Sequence, residues 1–217
     1  MSDWITFALP KGRIMQDSMA LLGRIGITCP EMEDGGSRKL VFENKKDRYR
    51  FMAVRATDVP TYVEYGCADL GVVGKDTLLE QEKDLYEPVD LKFGYCRLVV
   101  AEPRELRETD DPGGWSNIRV ATKYPHITAR YFAAKGVQVE LVKLYGSIEL
   151  APLVGLAERI VDLVSTGATL RENGLVEVET IAEITSRLIV NRASLKTKHQ
   201  RIRKMITQLE EAIGTTL

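Results

Sequence analysis

From Ile5 onward, short continuous runs of apolar residues alternate with stretches in which apolar positions recur every third or fourth residue. Continuous runs rich in Val and Ile read as buried strands, and the wider spacing reads as helix faces laid against them. Strands are predicted over 5–9, 49–54, 70–73, 97–101, 119–122, 139–142, 160–164 and 176–181. Several pass at once into helix material: Asp58-Val59-Pro60 leads to Val63, Lys75-Asp76-Thr77 to Leu78-Leu79, and Pro125-His126-Ile127-Thr128 to Tyr131-Phe132. Asp58 and Asp76 are read as N-caps, because a short carboxylate accepts from the free N–H groups that open a helix. Gly136 and Gly174 are read as helix stops. Such alternation specifies an α/β fold.

The segment 195–213 sets Leu195, Ile202, Met205, Ile206, Leu209 and Ile213 mostly at helical spacing and predicts one amphipathic helix. Its polar side carries Lys196, Lys198, Arg201, Arg203 and Lys204 and is read as solvated. The run Glu108-Thr109-Asp110-Asp111-Pro112-Gly113-Gly114 has nothing to bury and reads as a surface loop. A faint internal echo joins two places. Gly66-Cys67-Ala68-Asp69 stands before the 70–73 strand as Gly155-Leu156-Ala157-Glu158 stands before the 160–164 strand, and each strand is followed by a glycine and Thr-Leu. Two similar α/β lobes would give this pattern, and ligands of open α/β sheets sit at the carboxyl ends of the strands.

Composition narrows the function more than the fold. Of 217 residues 44% are hydrophobic and 28% charged, the range of ordinary globular proteins. Thirty basic and 31 acidic side chains leave a net charge of −1, which removes the global attraction for nucleic acid or an anionic membrane. Any phosphate site must therefore be local. Cys29, Cys67 and Cys96 form no close pair, as expected of reduced thiols. With His126 and His199 the only histidines, neither a zinc site nor a Ser-His-Asp triad has much material. The first residues, Met1 to Thr6, lack the basic and apolar regions of a signal peptide, and no run reaches membrane-spanning length, so a cytoplasmic protein is expected.

The most informative run is Ile160-Val161-Asp162-Leu163-Val164-Ser165-Thr166-Gly167-Ala168-Thr169-Leu170-Arg171-Glu172-Asn173. An apolar strand ends in hydroxyls and a glycine where a helix begins. Unpaired N–H groups, the helix dipole and the hydroxyls of Ser165, Thr166 and Thr169 together suit a phosphate monoester. Asp162, just before the loop, could reach sugar hydroxyls. Gly74-Lys75-Asp76-Thr77 resembles the end of a Walker A loop, but Asp69 stands where its first glycine belongs and Asp76 separates the lysine from the threonine. No G-x-G-x-x-G follows a strand either. Leu9-Pro10-Lys11-Gly12-Arg13 places two cations after the first strand, and Arg55 closes the 49–54 strand. Such cations at strand ends can meet a polyphosphate, and Asp69 adds a carboxylate.

Five blocks in order resemble the signature of the ATP phosphoribosyltransferase family: residues 8–13, 54–60, 66–74, 146–152 and 162–173. The resemblance implies condensation of ATP with 5-phosphoribosyl 1-diphosphate to N1-(5-phosphoribosyl)-ATP and diphosphate, the first step of histidine biosynthesis. It implies a two-lobed architecture like the type II periplasmic binding proteins, with a central cleft. The lobes are expected over 1–93 plus 182–217 and over 94–181. By the same resemblance Ser165, Thr166, Gly167, Ala168 and Thr169 would hold the 5-phosphate, with Asp162 and Glu149 at the ribose. Lys11 and Arg55 would be catalytic, and Leu9, Lys11, Gly12, Arg13, Arg55, Asp69 and Gly71 would bind ATP. Magnesium would arrive on the diphosphate. The chain resembles the short form, which works in a hetero-oligomer with a regulatory subunit similar to histidyl-tRNA synthetase and is expected to lack a histidine site of its own.

Two alternatives share features with this reading. A type I phosphoribosyltransferase would share Thr166-Gly167-Ala168-Thr169 but usually carries two adjacent acids before the loop, whereas Val161 precedes Asp162 here. A solute-binding or sensor domain would share the two lobes without needing the cations and the phosphate loop together.

Overall fold

The computed structural model describes residues 3–33, 38–107 and 111–215. In chain order its elements begin with β1 (Ile5–Pro10), α1 (Arg13–Arg24), α2 (Pro30–Glu33), β2 (Val41–Asn44), β3 (Tyr49–Val54), α3 (Val59–Glu64), β4 (Leu70–Gly74), α4 (Lys75–Gln81) and β5 (Tyr86–Asp90). There follow β6 (Cys96–Pro103), α5 (Arg104–Arg107), β7 (Ile118–Thr122), α6 (Pro125–Ala134), β8 (Val139–Lys143), α7 (Leu150–Leu153), β9 (Arg159–Val164) and α8 (Ala168–Glu172). The last elements are β10 (Leu175–Ile184), β11 (Ser186–Val190), α9 (Arg192–Thr197) and α10 (His199–Gly214). The chain forms two compact units: Met1–Leu78 with Glu82–Gly94 and Thr185–Leu217, and Leu79–Gln81 with Tyr95–Ile184.

The first unit is built on a six-stranded sheet in the order β2-β3-β1-β4-β11-β5. All six residues of β1 are buried, as a central strand covered on both faces requires. On one face Phe7 stacks on Phe51 at 5.3 Å, and Met19 and Leu22 of α1 join Ile202, Met205 and Leu209 of α10 above them. On the other face Val59 and Val63 of α3 pack with Ala8, Ala68, Val73 and Ile189. Strands β2, β5 and β11 were not predicted. All three join the sheet antiparallel, and β11 is inserted between β4 and β5. A single residue, Thr185, separates β10 from β11, so no turn signal announces the change of sheet.

The second unit has a five-stranded mixed sheet in the order β10-β6-β9-β7-β8. Strands β7, β8 and β9 run parallel, and β6 is antiparallel to both its neighbours. One face buries Trp115, Ile127 and Phe132, and the other Ile148, Ala151, Ala157 and Leu170. Arg159 pairs with Glu102 at 3.0 Å with both side chains nearly inaccessible, and its guanidinium lies 4.4 Å from the centre of the Trp115 ring. Glu80 opens α6, its carboxylate accepting from the N–H groups of His126 and Ile127 at 3.1 and 3.0 Å.

The remaining local expectations divide. Asp58 occupies the N-cap position of α3, although its side chain makes no capping bond. Asp76 does not cap: Gly74 is the N-cap of α4 and Asp76 lies in its first turn. Gly136 and Gly174 follow α6 and α8 with φ of 72° and 70°. The predicted helix over 195–213 is two helices, α9 and α10, which meet at Lys198, where the backbone leaves helical geometry (φ −119°, ψ 26°) and the ammonium bonds to Asp69 and the Trp4 carbonyl. Of the predicted loop, residues 108–110 lie outside the described residues. At its end Asp111 accepts from the Gly113 N–H at 2.9 Å and closes one turn of 3-10 helix over Pro112–Gly114.

The internal echo has a structural counterpart within each unit. Asp69 donates its N–H to the Thr6 carbonyl, and its carboxylate accepts from the Thr6 N–H, both at 2.8 Å. Glu158 does the same with Arg119, its N–H to the carbonyl at 3.2 Å and its carboxylate to the N–H at 2.7 Å. In both units an acid before a strand clamps the parallel neighbour in register, β4 to β1 and β9 to β7. Among the described residues no helix is long and apolar enough to cross a membrane.

Candidate functional site

In the second unit β9 carries Asp162 and runs into Ser165, Thr166 and Gly167 before α8 opens at Ala168. Gly167 stands at the N-cap with φ 73°, the left-handed conformation that admits glycine at little cost. A Cβ there would also come 3.1 Å from Nη1 of Arg171, which bonds back to the Thr166 carbonyl at 3.1 Å. The turn directs the loop amides outward. Among the described residues the N–H groups of Ser165, Thr166, Gly167 and Thr169 have no hydrogen-bond acceptor, and that of Ala168 has only a long bond of 3.4 Å to Thr166 Oγ1. They line an open pocket of about 220 Å³ with Glu149, Asp162, Leu163, Val164, Ala168 and Leu170. Donors without acceptors at a helix start, with hydroxyls among them, form an anion cradle.

The acids of this pocket are also polarised by their surroundings. Burial pushes the Asp162 carboxyl above the usual carboxylate range; the Leu163 N–H at 2.8 Å opposes the shift, the charge of Glu149 adds to it, and that of Lys123 opposes it. Glu149 stands at the N-cap of α7 without making a capping bond, so its carboxylate is left for the pocket. The structure thus brings Glu149, Asp162, Ser165, Thr166, Gly167, Ala168 and Thr169 together. Lys123, which the sequence reading did not single out, neighbours them. Its signal was available in principle: it follows β7 at the carboxyl end, the same position relative to its strand that Lys11 has to β1.

In the first unit the cations gather where parallel strands end. Pro10 pairs with Val54 as the last residues of β1 and β3, so Lys11 and Arg55 leave the sheet side by side. The Lys11 N–H is bonded to the Val54 carbonyl at 3.0 Å, which holds the two ends together. Both side chains are exposed, and among the described residues neither has an ion-pair partner. Gly12 is the N-cap of α1, and Arg13, with its side chain 90% exposed, makes only a loose contact with Asp17 at 3.8 Å.

Three further residues expected at the ATP site are packed within the first unit. The Leu9 side chain is wholly buried in the core. Asp69 lies at the opposite end of the sheet from Lys11, 4% exposed, with its carboxylate consumed by the Thr6 N–H, the Ser194 hydroxyl at 2.6 Å and the Lys198 ammonium at 2.8 Å. Gly71 faces α3, where a Cβ would come 2.7 Å from Val59 and 2.8 Å from Val63. In this structure they pack and clamp the sheet. The signature block 66–74 forms the join of β4 to β1 and α3.

Comparisons with known proteins agree on one family. The family model for ATP phosphoribosyltransferase matches residues 55–211. A curated ATP phosphoribosyltransferase from Syntrophotalea carbinolica is 82% identical over 214 residues, covering 99% of this chain and 97% of its own length. A solved structure, the ATP phosphoribosyl transferase (HisG:HisZ) complex from Thermotoga maritima, is similar with a TM-score of 0.81 and 35% identity over 97% of this chain and 99% of the other. The periplasmic aliphatic sulphonate binding protein SsuA of Escherichia coli aligns with a TM-score of 0.60 at 13% identity over all of this chain and 70% of its own, a likeness of fold alone. An α/β chain with the fold of periplasmic binding proteins, a loop of unpaired donors at the end of β9 and 82% identity to a curated enzyme belongs to the ATP phosphoribosyltransferase family, the transferases that open histidine biosynthesis.

Proposed function

We propose that the chain transfers the 5-phosphoribosyl group from 5-phosphoribosyl 1-diphosphate to N1 of ATP, giving N1-(5-phosphoribosyl)-ATP and diphosphate, and that it does so in the cytoplasm. The observation that carries the site assignment is the loop from Ser165 to Thr169, whose free N–H groups and hydroxyls lie in one pocket with two carboxylates. The loop binds the 5-phosphate. Asp162 and Glu149 then accept from the ribose hydroxyls and hold the anomeric carbon in place.

Adenine N1 carries a free lone pair at neutral pH, so its attack on the anomeric carbon needs no strong base. The bond from that carbon to the diphosphate oxygen breaks as the bond to N1 forms, and the electron pair leaves with the diphosphate. Charge therefore builds on the ribose as an oxocarbenium-like cation and on the leaving group as an anion. Ionised Asp162 and Glu149 favour the first, and the ammonium of Lys11 and the guanidinium of Arg55 favour the second, with Arg13 and Gly12 at the ATP polyphosphate. Asp162 and Glu149, with their hard oxygens, would hold magnesium alongside substrate phosphates, and the ion carried by the diphosphate would supply charge neutralisation there. Among the described residues no cluster of three or more His, Cys, Asp or Glu is arranged to hold a metal by itself.

The Thermotoga maritima relative is a HisG:HisZ complex. This chain spans nearly the whole of that HisG-type partner, and we assign it the same arrangement, a hetero-oligomer with a regulatory HisZ-type subunit. The test of the site is Thr169→Val, which keeps the shape and removes a donor. Loss of one hydrogen bond to a charged oxygen is expected to weaken 5-phosphoribosyl 1-diphosphate about ten- to a hundredfold and to spare ATP. Titration calorimetry with each ligand reads this directly, and unchanged affinity for both would reject the loop as the phosphate site.

A further inference from the structure

We propose that Lys123 is a substrate-binding residue of the phosphoribosyl pocket, placed across the sheet from Asp162 so that its ammonium meets the anionic phosphoribosyl donor. The inference rests on the loop from Ser165 to Thr169 being the phosphoribosyl site, and goes beyond it by adding a cation from a neighbouring strand.

The placement follows from register. Strands β7 and β9 run parallel with Val120 opposite Arg159, Ala121 opposite Ile160 and Thr122 opposite Val161, which puts Lys123 level with Asp162. Partners in a parallel pair project their side chains to the same face of the sheet. The turn that carries Lys123 is pinned on both sides. Buried Thr122 donates its hydroxyl to the Val161 carbonyl at 2.8 Å, and its Oγ1 accepts from the Tyr124 N–H at 2.9 Å. The Thr122 carbonyl accepts from the Leu144 N–H at 3.0 Å, and the Tyr124 carbonyl from the Thr128 hydroxyl at 2.7 Å. A lysine on an ordinary surface loop would wander; this one leaves a backbone fixed from four directions.

Its charge has no other employment. Lys123 is exposed, and among the described residues it has no ion-pair or hydrogen-bond partner. The charges that act on the half-buried Asp162 are those of Lys123 and Glu149, of opposite sign. Two carboxylates in a pocket meant for a polyanion would repel it, and a cation beside them lowers that cost while offering a charge-assisted contact. Lys143, in register with Thr122 on β8, lies over the Tyr145 ring at 5.6 Å and is committed there.

The experiment compares Lys123→Met, Lys123→Arg and Thr169→Val in the full-length chain assembled with its regulatory subunit, by steady-state kinetics in each substrate and by thermal melting. Lys123→Met keeps the aliphatic stem and is expected to raise KM for 5-phosphoribosyl 1-diphosphate about tenfold or more, leaving KM for ATP and the melting temperature unchanged. Lys123→Arg is expected to restore most of the loss. If Lys123→Met is silent while Thr169→Val weakens the donor, the role of Lys123 is overturned and the pocket stands. If Lys123→Met disturbs both substrates alike with a lower melting temperature and no rescue by arginine, its role is structural and the proposal falls. If neither variant affects the donor, the pocket reading fails and takes this inference with it.

Discussion

Asp69 and Asp162 are the same residue type, each beside a parallel strand, and the structure gives them opposite work. Asp69 is surrounded by donors that use both its oxygens, whereas Asp162 keeps one bond, from Leu163, and faces an acid. Burial holds the folded-state pKa of Asp162 above its unfolded value. The folded state then binds more protons than the unfolded state between those two values, so stability falls as pH rises through that window and the cost of the charge is fully present above it. Asp162→Asn removes the charge, keeps an oxygen to accept from Leu163, and is expected to raise the melting temperature at neutral pH. The gain is expected to vanish below the ordinary carboxylate range, where wild-type Asp162 is protonated in both states. Turnover is expected to fall about ten- to a hundredfold, because a charged acceptor to the ribose becomes a neutral one. Paired melts and rates over pH check both halves; an unchanged rate would remove Asp162 from the site.

At the scale of elements the join of β1, β4 and α3 is a tighter constraint than any single side chain. Gly71 lets α3 approach the sheet until Val59 and Val63, both fully buried, close over the place where a Cβ would stand. Gly71→Ala is expected to cost about 1–3 kcal/mol from overpacking. Val63→Ala in the same chain is expected to recover part of that loss, the two sites being in contact and therefore not additive. Denaturant melts of the single and double variants measure the coupling, and a Gly71→Ala chain as stable as wild type would contradict the packing described. The repeat of an acid clamp, Asp69 on Thr6 and Glu158 on Arg119, shows that a gapped echo in the sequence reported a real recurrence of local design. The missed strands β2, β5 and β11 lack such cues: each is short, β2 pairs with the adjacent β3, and β5 and β11 are joined across about a hundred residues.

At the scale of the whole chain the described residues fall into two units, each with its own sheet and cores. Histidine can act only through differential binding to two states, and we propose that it does so through the HisZ-type subunit. The isolated chain is expected to be insensitive to histidine, with inhibition appearing when the HisZ-type subunit is added. Turnover measured against histidine, with and without that subunit, decides it; saturable inhibition of the chain alone at a site apart from its substrates would overturn the expectation.

The sequence by itself determined the α/β class, eight of the strands and the strand–glycine–helix turn after β9, because each depends on neighbours along the chain. Apolar runs, a glycine at a strand end and hydroxyls at a helix start act within a few residues, so the segment 160–173 was legible as a unit. Only the tertiary structure decided what surrounds Leu9, Asp69, Gly71 and Lys123. Asp69 is consumed by Lys198, 129 residues away, and Gly71 by valines of a helix that precedes its strand. Lys123 acquires its place from the pairing of β7 with β9, a register that no local period announces. A carboxylate or an ammonium is chemically ambiguous until its surroundings are known, and in a sheet those surroundings come from whichever strand lies alongside.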